Sequence, residues 1–177
     1  MKFVVLYSSI EGQTRKIAEA VASHLQSQQH TVMISDANQI GFADPGVGDA
    51  IILCAPVHGG HYPAPFVHFV HDWAQVLNDI PTAFISVSLS IASADVDEQQ
   101  EARSYPGGIS EETGWSPSAI LNCAGALKYS EYDYFKKWML KRIAATEGGP
   151  IDTSRDYELT NWTEVKSFID TFVGSIT

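Results

Sequence analysis

Apolar residues recur along the chain in short unbroken runs, and the segments between them have helical spacing. Residues 3–7 (FVVLY), 31–35 (TVMIS), 50–55 (AIILCA), 82–90 (TAFISVSLS) and 119–127 (AILNCAGAL) read as five strands. Several are apolar on both faces, as strands of a parallel sheet covered on both sides must be. Ile17, Val21 and Leu25 mark one amphipathic helix, Phe66, Val70, Trp73 and Leu77 a second, and Phe135, Met139 and Ile143 a third that ends at Gly148-Gly149. The last helix declares its own start. Asn161 followed three residues later by Glu164 is an N-cap signature, and Trp162, Val165, Ile169, Phe172 and Ile176 fall on one face. Strands alternating with helices imply right-handed crossovers and an α/β, doubly wound parallel sheet with helices on both faces. With five strands the order 2-1-3-4-5 is expected, and its ligand crevice lies at the carboxyl ends of strands one and three.

One stretch departs from this rhythm. Residues 91–118, between the fourth and fifth strands, read as an insertion in which a helical VDEQQEARSY runs into Pro106-Gly107-Gly108, and proline followed by two glycines is expected to break the helix there. The chain shows no internal repeat, linker or low-complexity segment, and residues 1–177 suit a single domain.

Charge narrows the partners. Eleven Lys and Arg against twenty-one Asp and Glu give a formal charge of -10, which disfavours nucleic acid and anionic membranes for the surface as a whole. The charge is unevenly spread. Residues 128–142 hold five cations against Glu131 and Asp133, whereas residues 95–112 hold six carboxylates against Arg103. The apolar run after Lys2 is too short for a secretory leader, and no stretch approaches the roughly 18 apolar residues of a membrane span. A cytoplasmic protein is expected, at most peripheral on the cytoplasmic membrane face. Cys54 and Cys123 sit far apart in apolar strand patterns and read as buried thiols rather than a disulfide.

The candidate chemistry begins at the turn after the first strand. Ser9, Ile10, Glu11, Gly12, Gln13 and Thr14 lie between a strand and a helix start, where hydroxyls and backbone N–H groups can hold a phosphate without a cation. Gly12 stands alone with no lysine beside it, which excludes both the Walker loop and the three-glycine dinucleotide loop. The bland alternative is a turn whose Ser and Thr only cap a helix. The loop after strand three supplies Pro56, Val57, His58, Gly59, Gly60, His61 and Tyr62. Its glycines permit positive φ and close backbone approach, and its rings can stack or hydrogen-bond. The end of strand four adds Ser88, Leu89 and Ser90. His58, His61, His68 and His71 form two His-x-x-His pairs, but no cysteine or carboxylate completes a metal site at ligand spacing, so no metal is expected.

The hexapeptide SIEGQT resembles the flavodoxin phosphate loop at four of its six positions, Glu11 being the departure; its backbone N–H alone is assigned to the phosphate, with its carboxylate in solvent. The start YSSIEGQTRKIA, the loop GHY, and the run AGALKYSEYDYFKKWMLKRIAATEGGPIDTSRDYELTNWTEVKSFI together resemble the flavodoxin-like, quinone-dependent protoporphyrinogen IX dehydrogenases over nearly the whole chain. The strongest stretches are Ala124–Leu127 and Gly148–Tyr157 with Thr160 and Trp162.

This resemblance implies a flavodoxin-like fold with non-covalent FMN. It implies oxidation of protoporphyrinogen IX to protoporphyrin IX, within heme biosynthesis, and passage of the electrons to a quinone. The flavin does the chemistry, and the protein supplies position and electrostatics. His58 and His61 are the candidate proton-transferring groups, since imidazole titrates near neutrality. Lys136, Lys137, Trp138, Lys141 and Arg142, in a segment rich in tyrosine, are candidates for meeting substrate propionates or lipid headgroups. Pro56 and His58-Gly59 stand where the family typically carries a serine and an Arg-Tyr pair, and the segment after strand four is acidic where well-known members are basic. An FMN electron carrier without an organic substrate, docking through its acidic surface, is the competing class; an FMN-dependent quinone reductase is a third.

Overall fold

The computed structural model describes residues 1–37, 44–127 and 157–177. Helix spacing at Phe135, Met139 and Ile143, the break at Gly148-Gly149 and the cationic candidates of residues 128–142 lie outside the described residues. Five parallel strands, β1 (Lys2–Tyr7), β2 (Thr31–Asp36), β3 (Ala50–Pro56), β4 (Thr82–Val87) and β5 (Ala119–Cys123), form one sheet in the order β2-β1-β3-β4-β5. This is the flavodoxin-like order expected from the sequence. Among the described residues the α-helices are α1 (Gln13–Ser27), α2 (Ala64–Asp79), α3 (Val96–Thr113) and α4 (Trp162–Ile176).

Strand alternation sends successive side chains to opposite faces, and each face has its own core. Phe3, Val5, Ile52 and Ile85 pack with Ile17, Val21 and Leu25 of α1 and with Val165, Ile169 and Phe172 of α4. Val4, Leu6, Ile51, Leu53 and Phe84 pack with Phe66, Val70 and Leu77 of α2 and Ile109 of α3. Every residue of β3 and β4 is buried, which is why those runs carry no polar alternation. Trp115 is fully buried on the second face, and its indole N–H donates to Thr82 Oγ1 at 3.1 Å, so the ring packs without stranding a polar group. Asn161 caps α4 as its sequence predicts, accepting from the Glu164 N–H at 3.2 Å.

Three expectations are corrected. The fourth strand ends at Val87 rather than residue 90, because Ser88 turns the chain into a short 3₁₀ segment, Leu89–Ala92, and accepts from the Ser90 N–H at 3.2 Å. The fifth ends at Cys123, and Ala126–Leu127 leaves the main sheet as β6, pairing antiparallel with β7 (Tyr157–Glu158). Pro106-Gly107-Gly108 does not break the helix. α3 runs through it, with Ala102, Pro106, Ile109 and Thr113 buried along one face. Proline in a helix interior costs about 3 kcal/mol by removing a hydrogen bond and crowding the preceding turn. Here the ring lies on the packed face and the residue one turn back is alanine, so packing overrides the local penalty. Residues 91–118 thus hold the crossover helix from β4 to β5.

Cys54 and Cys123 are free and buried. Burial pushes both thiols up, Cys123 to about 12, so each stays protonated as a packing group. No helix among the described residues is long and apolar enough to cross a membrane.

A candidate cofactor cleft at the switch point

The sheet order reverses direction at β1, with β2 on one side and β3 on the other, and a crevice opens at such a point at the carboxyl ends of the strands. A cleft of about 560 Å³ occupies it, inside the range of roughly 300–1,000 Å³ usual for small-molecule sites. Five segments line it.

From the β1–α1 turn come Ile10, Glu11, Gln13 and Thr14. Gly12 takes φ 91°, which a side chain would resist, and its N–H donates to Ser9 Oγ at 3.0 Å, closing the turn. No side chain caps α1 and its first turn holds no acidic residue. The helix therefore presents its N–H groups and the positive end of its dipole to the cleft. Thr14 is buried and lines the cleft.

From the loop after β3 come Pro56, Val57, His58, Gly59 and Gly60. His58 and His61 exchange backbone hydrogen bonds of 2.9 and 3.1 Å across Gly59 (φ 56°) and Gly60 (φ 84°). Two successive positive φ values define a type I′ turn and explain why both central residues are glycine. The loop then turns away from the cleft. Tyr62 packs on Phe66 and Phe84, and its hydroxyl meets Ser86 Oγ at 2.8 Å. Burial raises its pKa, so it stays a neutral phenol. Neither His61 nor Tyr62 lines the cleft; both line a neighbouring groove.

The end of β4 gives Val87, Ser88, Leu89 and Ser90. The residues that sequence reasoning missed are Val87 and, further on, Glu98, Glu101 and Tyr105 of α3, with Gly125 and Ala126. A signal for the three α3 residues existed: residues 98, 101 and 105 follow helical spacing, and Asp95 with Glu98 is a capping pair that starts α3 just beyond β4. Among the described residues no Lys or Arg lines the cleft, and no group of three or more His, Cys, Asp or Glu converges as metal ligands would.

Residues 4–154 match the flavodoxin domain. The chain is 32% identical to the protoporphyrinogen IX dehydrogenase [quinone] of Escherichia coli K12 over 168 residues, 95% of this chain and 92% of the relative. The chain belongs to the flavodoxin-like protoporphyrinogen IX dehydrogenase family. The relative of the same name from Leishmania major is 29% identical, with 98% of this chain and 75% of the relative covered. In fold, a short-chain flavodoxin associated with a non-canonical PDU bacterial microcompartment superposes with a TM-score of 0.61 at 13% identity, covering 100% of this chain and 99% of its own. A Streptococcus pneumonia TIGR4 flavodoxin follows at 0.58 and 14%, covering 99% of this chain and 97% of its own.

The C-terminal stretch that carries the family likeness is tied to the first turn of α1. Gln13 Nε2 donates to Glu158 Oε1 and to Thr160 Oγ1, both at 2.9 Å, and Thr160 Oγ1 donates to the Ala124 carbonyl at 2.8 Å. Thr160 spends its only proton there, so it must accept from Gln13, and Glu158 can only accept; the Gln13 amide orientation is fixed by its partners. Lys16 pairs with Glu158 at 2.8 Å and lies 5.5 Å from the centre of the Trp162 ring. Burial opposes the Glu158 charge, but hydrogen bonds from Lys16 and Gln13 outweigh it and hold the carboxyl below its ordinary range.

Proposed function

We propose that this chain binds FMN in the switch-point cleft and oxidises protoporphyrinogen IX to protoporphyrin IX, with a quinone as the final electron acceptor. The observation that carries the reading is the likeness over 95% of the chain to a relative named for that reaction. The cleft fits the cofactor. The uncapped N-terminus of α1 and the Thr14 hydroxyl suit a phosphate dianion with no cation required. The glycine turn at 59–60 lets backbone approach a flat ring, and Pro56, Val57, Val87 and Leu89 supply apolar wall.

Bound there, FMN supplies a two-electron acceptor. The chain's own work is to hold the phosphate end at Ser9–Thr14, to seat the ring between the His58–His61 turn and Ser88–Ser90, and to leave the α3 side for reactants. His58, which lines the cleft, is positioned to take up or deliver a proton, and His61 stands one turn further out. The cations and aromatic rings that the sequence interleaves in residues 128–142 support a role for Lys136, Lys137, Trp138, Lys141 and Arg142 at substrate propionates or a lipid surface, with peripheral contact at the cytoplasmic membrane face. The carrier and quinone reductase readings lack an equivalent full-length relative.

The test is anaerobic turnover with protoporphyrinogen IX and a quinone, followed by the appearance of porphyrin fluorescence. Fluorescence that rises only with FMN, and continues past the oxidising capacity of the bound flavin only when quinone is also present, supports the assignment; reduction of quinone by NAD(P)H alone would favour the reductase reading.

A further inference from the structure

Beside the cleft, between the N-terminal half of α2 and the middle of α3, runs a second depression of about 400 Å³. Its wall is built from Gly60, His61, Ala64, His68, Tyr105 and Gly108. Gly60 and Tyr105 also line the cleft, so the two spaces are contiguous. The two His-x-x-His pairs of the sequence are resolved here in an unexpected way. One histidine from each pair, His61 and His68, faces the groove, while His58 lines the cleft and His71 sits in solvent beside Asp72 at 3.3 Å.

We propose that this groove receives the head group of the quinone that reoxidises the flavin, with His61 and His68 as hydrogen-bond donors to its carbonyl oxygens. The proposal rests on the functional reading above and deepens it by separating where the two organic reactants bind. Charge decides between them. Glu112 lines the groove, Glu98 and Glu101 line the adjoining cleft wall, and among the described residues no Lys or Arg lines either space. A tetrapyrrole with two propionates would bring two negative charges against the Glu112 carboxylate of the groove wall. A quinone is neutral and asks only for donors. Size agrees: the groove is smaller than the cleft and suits one or two fused six-membered rings, with Val67 and Ile109 as apolar contacts. Because Gly60 and Tyr105 border both spaces, a ring in the groove lies one residue's thickness from the edge of a ring in the cleft. In sum, two electrons and two protons leave the reduced flavin and enter the quinone, which becomes the hydroquinone as oxidised flavin is restored.

Glycines on α3 provide the experiment. A Cβ at Gly108 or at Gly107 would meet nothing within 4 Å, and leucine is the better helix former, so Gly108→Leu and Gly107→Leu should both fold. Gly108 lines the groove and Gly107 does not. Two half-reactions are measured on the FMN-loaded protein: flavin bleaching by protoporphyrinogen IX, and reoxidation of dithionite-reduced flavin by 2-methyl-1,4-naphthoquinone. Naphthoquinone is also titrated into the protein while the His61 and His68 imidazole resonances are followed. The expected result is that Gly108→Leu weakens naphthoquinone binding and slows reoxidation at least tenfold, leaves FMN affinity and bleaching unchanged, and removes the histidine shifts, while Gly107→Leu changes none of these. Loss of bleaching with unchanged reoxidation would overturn the proposal and give the groove to the porphyrinogen. Unchanged reoxidation and bleaching would overturn it as well. If the unmodified protein is not bleached by protoporphyrinogen yet its reoxidation depends on Gly108, the substrate reading fails and the quinone groove stands.

Discussion

Two helices open onto the same cleft, and their first turns are built in opposite ways. α1 starts at Gly12 with no side-chain cap and no acidic residue in its first turn. α3 starts at Asp95, whose carboxylate accepts from the N–H groups of Asp97 and Glu98, and both of those residues are themselves acidic. One N-terminus keeps its donors and the positive end of its dipole for a ligand; the other satisfies its own donors and presents negative charge. The difference teaches that helix termini in one site need not do the same work. On the proposed reading the α1 end suits an anion and the acidic α3 end does not, so a bound nucleotide would turn its phosphate to Ser9–Thr14.

The sharpest way to break this contrast is to give α1 the character of α3. Thr14→Asp should weaken FMN by roughly a hundredfold or more, about 3 kcal/mol, while riboflavin, which lacks the phosphate, loses much less. Fluorescence titration of the apoprotein with both flavins checks it. Thr14→Ala is the milder form and should cost FMN about 1–3 kcal/mol, the range of a hydrogen bond to a charged group; equal affinities for FMN and riboflavin would remove the phosphate assignment.

On the other helix the same kind of change should appear in stability rather than affinity. Asp95→Ala deletes a cap and is expected to lower stability by about 1 kcal/mol, seen in denaturant or thermal unfolding, with FMN affinity unaltered. The smallest effect concerns Glu158. Its carboxyl titrates below the ordinary range when folded, so its contribution is complete at neutral pH and is lost as pH falls through the folded value. Glu158→Gln should therefore lower stability slightly at pH 7, the Lys16 pair being largely exposed, and the difference from the unmodified protein should vanish as pH falls through the folded value.

How much of this was legible in the sequence differs element by element. The strands were, because burial on both faces leaves apolar runs such as Ile51–Ala55 that no exposed segment would carry. The α4 cap was, because an Asn with Glu three residues on is a local signal. Pro106 misled because its cost is local while its compensation, a packed face shared with Ala102 and Ile109, is tertiary. Glu101 and Tyr105 escaped notice as site residues for the same reason: their spacing is visible, but the sequence does not say that this face of α3 closes the cleft. Gln13 was legible as a loop residue, whereas its partners Glu158 and Thr160 lie about 145 positions away, and no local rule joins them.

The central claim is that the flavin in this cleft takes its electrons from protoporphyrinogen IX. The direct measurement is anaerobic mixing of the FMN-loaded protein with protoporphyrinogen IX in the absence of quinone, observing the flavin absorption band. Loss of the yellow band, with one porphyrin formed for every three flavins reduced because the oxidation removes six electrons and each flavin accepts two, is the result expected. A flavin that stays oxidised under these conditions, yet is reduced by dithionite and handed on to a redox partner protein, would contradict the claim and make the chain an electron carrier.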